Sequence, residues 1–248
     1  VGGRTISCRL VPAPMTYVGN VAQRALMDYF GYDGLLFSEM CSAARIPHER
    51  RETSCYFTWR DEERHRLVVQ ILGNDPAKMA KAALRVQSEG LFGVDINMGC
   101  SAKTVCATGG GAALLKDMAA ATAVVKAVRD AITIPVMVKF RTGWQGTCDQ
   151  SVEMAQAFEA IGVDALTFHP RMAPDRRTRP PKWDHIERVK ASVSIPVFGD
   201  GNVFSRSDCW RMLTSTGCDG ISVGRMAVAK PWVLAAWTKG LQVDSGLY

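Results

Sequence analysis

Eight short apolar runs recur along the chain, at residues 9–12, 34–38, 67–71, 93–97, 136–140, 165–169, 197–199 and 220–223. Most are continuous rather than alternating, the pattern of strands covered on both faces, as in a parallel sheet. Stretches of helical period lie between them. Asp75 followed by Pro76 reads as an N-cap with proline at the first helical position, and Met79, Ala83 and Val86 follow on one face. Residues 119–132 and 151–161 repeat that period, Ser205 to Asp208 has capping-box spacing with Asp in place of Glu, and residues 229–237 read as a last helix. Two segments resemble each other, AITIPVMVKF and ASVSIPVFGD, each leaving a helix through Ile-Pro into a strand. Strands and helices in strict alternation over 248 residues, with no linker or low-complexity stretch, predict one α/β domain, a (β/α)8 TIM barrel spanning 1–248. A doubly wound sheet is the rival, but at this length it usually has fewer strands.

In such a barrel the chemistry gathers at the C-terminal ends of the strands. Polar residues collect there: Pro14-Met15-Thr16 after the first run, Gln70 in the third, Asn97 and Cys100 at the fourth, and Lys139 and Arg141 at the fifth. His169 and Arg171 end the sixth run, Asp200-Gly201-Asn202 the seventh, and Gly224-Arg225 the eighth. Glycines closing the last two strands suit an anion, since loop N–H groups and a helix start meet there, and Arg225 can add a charge-assisted bond. The bland alternative is two ordinary turns and a surface arginine. Lys139 and Arg141 share one face. If that face is the barrel interior, two bare cations demand an anionic or electron-rich ligand; if Lys139 lies beyond the rim, it meets only water. His169 serves equally as a ligand contact or a satisfied structural histidine.

Cys100 sits on a glycine-containing loop near Lys103, placed as a nucleophile or a general acid. A small buried hydrophobe is the competing reading, and Cys106, six residues on, is an equal candidate by spacing. The run Gly109-Gly110-Gly111 lacks the strand–GxGxxG context of a dinucleotide fingerprint. It reads as an adaptable backbone near a bulky ligand or as a helix lead-in.

Composition changes the picture modestly. The eight cysteines form neither CxxC nor CxxH, so no metal site is expected. The first residues, VGGRTISCRL, contain no secretory apolar core, and no apolar run approaches membrane-spanning length, so free thiols and a cytoplasmic setting are expected. The formal charge is +6. Part of that excess falls in residues 171–190, where Arg171, Arg176, Arg177, Arg179, Lys182, Arg188 and Lys190 face only Asp175, Asp184 and Glu187. A basic loop beside a cleft mouth suits a phosphate backbone, and a solvated charged face is its plain alternative.

Taken in order, APM at 13–15, SEM at 38–40, VQILG at 69–73, DINMGC at 95–100, GGGAALL at 109–115, VKFRTGW at 138–144, HPR at 169–171, GDGNV at 199–203 and DGISVGR at 219–225 resemble the tRNA-dihydrouridine synthase family, nearest its bacterial B-type members. The resemblance spans almost the whole chain. It implies a barrel that binds FMN, with NADPH as reductant. Hydride then passes to C6 of a uridine in tRNA, and a cysteine protonates C5. On these matches Cys100 is the general acid, and Asn97, Arg141 and Arg171 contact the nucleotide. Pro14, Met15, Thr16, Gln70, Lys139, His169, Asp200, Gly201, Asn202, Gly224 and Arg225 hold FMN, with Lys139 beside the reduced ring and Gly224 and Arg225 on the phosphate.

Three departures stand out. Ser101 follows the cysteine where the family has proline. Asp200-Gly201-Asn202 exchanges the family's Asn-Gly-Asp. The C-terminal helical domain that grips tRNA is not expected within these 248 residues. Two other readings are therefore carried: an FMN oxidoreductase of a free pyrimidine or other small enone, and a non-catalytic RNA- or flavin-binding barrel.

Overall fold

In a computed structural model of the chain, residues 1–175 and 179–244 are described, the last four by their backbone alone. Eight parallel strands are built from the apolar runs: β1 Leu10–Pro12, β2 Leu36–Ser42, β3 Leu67–Leu72, β4 Gly93–Met98, β5 Val136–Gly143, β6 Ala165–Met172, β7 Val197–Asp200 and β8 Gly220–Val223. They hydrogen-bond in the order β1-β8-β7-β6-β5-β4-β3-β2, and β1 approaches β2 to bring the sheet round into a nearly closed cylinder, the expected (β/α)8 barrel. The helices outside it are α1 Val21–Tyr29, α2 Pro76–Ser88, α3 Lys103–Ala107, α4 Met118–Ala131, α5 Asp149–Ile161, α6 Asp184–Ala191, α7 Arg206–Thr216, α8 Arg225–Ala229 and α9 Val233–Asp244.

Alternation along the strands sorts the side chains. Val94, Ile96, Val136, Val138, Phe140, Leu166 and Phe168 point outward into a continuous core against the helices. The inward positions change character along the barrel axis. At its N-terminal end Val11, Phe37, Val68, Met137, Ala165 and Phe198 form an apolar plug, closed below by Val1 and Ile6. Above them come Gln70, Asp95, Thr167 and Ser222, all buried, and then Asn97, Lys139, His169 and Asp200. An interior that is dry at one end and charged at the other can hold a polar ligand only at the C-terminal face.

The helices form where caps and apolar stripes agree. Asp75 accepts from the N–H groups of Ala77 and Lys78, and α2 buries Met79, Ala82, Ala83 and Val86. Asp117 caps α4 in the same way, and the Ser205–Asp208 capping box opens α7. The two similar segments have matching roles: the carbonyls of Pro135 and Pro196 each accept from the neighbouring strand, at Val94 and Leu166. Asp164 and Asp219 complete the repeat by accepting from Val136 N and Val197 N at 2.8 Å.

Several boundaries differ from expectation: β5 and β6 run on to Gly143 and Met172, past the expected 140 and 169, and two other differences have a local cause. The second strand starts and ends later than 34–38, because its later polar residues are buried and satisfied: Ser38 donates to the Glu39 carbonyl, and Glu39 accepts from Tyr17 N. The helix expected over 229–237 is two helices. Pro231 has no N–H to donate and drives Lys230 out of helical geometry, to φ −140° and ψ 82°. Among the described residues no helix is long and apolar enough to cross a membrane, and no acidic, histidine and cysteine cluster could hold a metal ion.

Candidate active site

At the C-terminal face the strand ends surround a cleft of about 510 Å³. A second lobe of about 290 Å³ shares its wall at Pro14, Met15, Cys100, Lys139, Arg141, His169 and Asp200. All the residues singled out by the resemblance line one lobe or the other. Thr16, Gln70 and Asn97 border the smaller lobe, and Arg171, Gly201, Asn202, Gly224 and Arg225 the larger.

The interior position of Lys139 is settled, and so is its anion. Lys139 Nζ donates to Asp200 Oδ2 at 2.5 Å, and His169 Nδ1 faces the same oxygen at 3.5 Å. Burial alone would raise the Asp200 carboxyl, but Lys139 and His169 together outweigh it and hold the group well below the usual carboxylate range. Burial pushes His169 down, against the pull of Asp200, so the ring is neutral at pH 7. The exchange of carboxylate and carboxamide at 200 and 202 thus places the charge deep in the barrel. Asn202 stands at the mouth, where its Oδ1 accepts from Arg171 at 2.8 Å and from Arg225 at 2.9 Å. Asn202 is in the left-handed region at φ 55°, after Gly201 at φ 124°.

Two guanidiniums on one amide oxygen repel each other. Burial and Arg225 both depress the Arg171 pKa, a pressure that an anion at the mouth relieves. Arg225 also lies over the Phe204 ring at 4.6 Å, and Gly224 opens the wall beside Met15. Arg141 donates to Ser101 Oγ and the Met172 carbonyl, at 3.1 Å each. Among the described residues no carboxylate forms an ion pair with it. Ser101, in the place of the expected proline, therefore ties the cysteine loop to the floor of the cleft through a side-chain bond.

The Cys100 loop is pinned from both sides. Asn97 Oδ1 accepts from Cys100 N at 3.0 Å and from Gly99 N at 3.2 Å. The Cys100 carbonyl accepts from Ala112 N at 2.8 Å and from the Cys106 thiol at 3.6 Å. This ranks the two cysteines: Cys100 lines the cleft, whereas Cys106 supports the loop from behind and lines neither lobe. The glycine run has a packing role too. At Gly111, φ is 59° and a Cβ would stand 2.6 Å from the Cys100 carbonyl oxygen. Lys103 is exposed at the start of α3, and Arg176 and Arg177 of the basic loop lie outside the described residues.

The donors and spaces present fit a flavin mononucleotide. Apolar Pro14 and Met15 flank the wall, Lys139 lies on the floor, arginines meet at the mouth, and the buried Ser222 Oγ on the cleft wall has no hydrogen-bond partner among the described residues. Ser222 and Phe204 escaped the sequence reading. Ser222 was legible as a polar position alternating with Ile221 and Val223, whereas Phe204 carried no signal.

A family model described as dihydrouridine synthase (Dus) matches residues 11–245. The chain is 37% identical to tRNA-dihydrouridine synthase B of Pseudomonas aeruginosa over 235 residues, covering 94% of this chain and 70% of that protein. It is 34% identical to the probable tRNA-dihydrouridine synthase of Rickettsia conorii, covering 95% and 71%. Among solved structures, histamine dehydrogenase from Rhizobium sp. 4-9 superposes with a TM-score of 0.72 at 13% identity, over 97% of this chain and 47% of that one. 2-Naphthoyl-CoA reductase gives 0.70 at 13%, over 97% and 51%. The chain thus spans about half the length of those two solved structures, and the likeness to them is one of fold.

Proposed function

The chain belongs to the dihydrouridine synthase family, and from that premise we propose that it reduces uridine in tRNA to 5,6-dihydrouridine with FMN as cofactor and NADPH as reductant. The observation that carries this reading is the single cleft in which Cys100, Lys139, His169 and the Arg171–Arg225 pair converge.

Each residue has a role its surroundings allow. The flavin, when bound, supplies the hydride that adds to C6 of the uracil. Pro14, Met15, Thr16 and Gln70 would hold the ring system, with Lys139 beside the part that gains negative charge. The pairing with Asp200 keeps that ammonium fixed and tempers its charge. Asp200 serves the cofactor through Lys139 and His169 rather than by meeting the phosphate. Gly201, Asn202, Gly224 and Arg225 would take the phosphate, where Arg171 and Arg225 already share one acceptor. Arg141, with no carboxylate pairing it among the described residues, would meet a uracil carbonyl, and Cys100 would deliver the proton to C5, so that one hydride and one proton saturate the double bond. Asn97 holds the cysteine loop and borders the smaller lobe, where the base would enter.

Flavin-loaded protein incubated with NADPH and an unmodified tRNA transcript is expected to yield dihydrouridine in nuclease digests analysed by mass spectrometry. A flavin-loaded preparation that oxidises NADPH yet leaves every uridine intact would overturn the proposal. Reduction of free uracil in the same assay would move the substrate to a small pyrimidine.

A further inference from the structure

Asp95 is an odd residue for the middle of a barrel. It is fully buried, its Oδ1 has no hydrogen-bond partner among the described residues, and burial pushes its carboxyl up to about 7 against the opposing effects of Gln70 and Lys139. A carboxylate there is costly, and nothing in the reaction touches it. Its other oxygen starts a chain: Gln70 Nε2 donates to Asp95 Oδ2 at 2.7 Å, and Asn97 Nδ2 donates to Gln70 Oε1 at 2.8 Å. Asn97 Oδ1 is then left to accept from the N–H groups of Gly99 and Cys100.

The direction of this chain is fixed at both ends. A backbone N–H can only donate, and Asp95 Oδ2 accepts both when the group is ionised and when its proton sits on Oδ1, so each of the two amides between them has one allowed orientation. Were residue 95 apolar, Gln70 could turn over and offer Nε2 to Asn97. Asn97 would then present its own amide N–H₂ to the Cys100 N–H, and the loop would lose its anchor. We propose that Asp95 is the positioning residue for Cys100, acting through Gln70 and Asn97 to hold the thiol at the cleft. The proposal rests on the reading of Cys100 as proton donor, but its geometric part stands independently.

The test therefore reads the loop directly. Alkylation of Cys100 by iodoacetamide is followed by peptide mass spectrometry, with the exposed Cys55 as internal reference. Asp95→Leu is expected to speed Cys100 alkylation relative to Cys55, and to lower kcat for uridine reduction roughly ten- to a hundredfold with KM little changed. Asp95→Asn, which still offers an oxygen to Gln70, is expected to restore both. Because the links act in series, Asp95→Leu combined with Gln70→Leu is expected to perturb the alkylation ratio no more than Gln70→Leu alone. Should Asp95→Leu not fold, Gln70→Leu breaks the same chain at its second link and carries the same expectation for the alkylation ratio, read on the flavin-free protein because Gln70 also borders the proposed flavin site. Unchanged Cys100 alkylation in folded Asp95→Leu or Gln70→Leu protein, or additive effects in the double variant, would overturn the proposal. Altered alkylation with no uridine reduction in the wild type would leave the relay standing and remove only the catalytic reading.

Discussion

Two aspartates in this barrel carry opposite electrostatic signatures. Asp200 is held below its ordinary range, so its ionised form is favoured by folding, and the stability it lends is lost as pH falls through about 4 and below. Asp95 is raised to about 7. Between about pH 4 and that value the native state keeps a proton the unfolded chain has released, so wild-type stability declines as pH rises across the window. Thermal unfolding of wild type and Asp95→Asn from pH 4 to 8 is expected to show the variant gaining on the wild type as pH rises, and parallel curves would refute the assignment. Around Cys100 the residues separate cleanly. Cys106→Ala is expected to keep most activity, because that thiol only supports the loop at 3.6 Å. Gly111→Ala combines a left-handed φ with a Cβ against the Cys100 carbonyl, and is expected to cost about 1–3 kcal/mol in denaturant unfolding and to lower turnover with it.

At the scale of elements, the strands were legible because their outward faces are apolar along their length and their inward faces are apolar at the N-terminal end of the barrel, which leaves short apolar runs between the helices. The termini of β2, β5 and β6 were not, since each strand ends in polar residues that are buried by partners distant in sequence, such as Arg141 with Met172. The Ser205–Asp208 capping box and the Asp75 cap were readable from local spacing alone, whereas the Asp117 cap was not singled out. Ser205→Ala is expected to cost α7 about 1 kcal/mol, seen as a lowered unfolding midpoint. The break between α8 and α9 was readable too, from Pro231, but the apolar period on either side masked it. The β4–α3 connection is the element whose function depends most on others. It is fixed by β4 through Asn97, by the glycine run through Ala112 and by β5 through Ser101 and Arg141; the Asn97 bonds are local, but the other two join residues distant in sequence.

For the whole molecule, the sequence disclosed which residue types stand at the strand ends but not which of them neutralise one another. That Lys139 finds its anion within the protein, and that Asn202 rather than a carboxylate meets the two arginines, follows only from closing the barrel. The mouth remains cationic, with Arg225 exposed and Arg179 and Lys182 on the adjoining loop. Binding of tRNA is expected to weaken steeply with salt, and Arg225→Ala to reduce the slope of log K against log salt by about 1 if that side chain also reaches the RNA backbone. A flat salt response would point to a small-molecule substrate. The central claim is that one flavin and one cysteine meet in this cleft. Stopped-flow spectroscopy of flavin-loaded Cys100→Ala under anaerobic conditions tests it most directly. NADPH is expected to bleach the flavin as in wild type, while its reoxidation by tRNA slows by about 10²–10⁴-fold; reoxidation by tRNA at the wild-type rate would contradict the account.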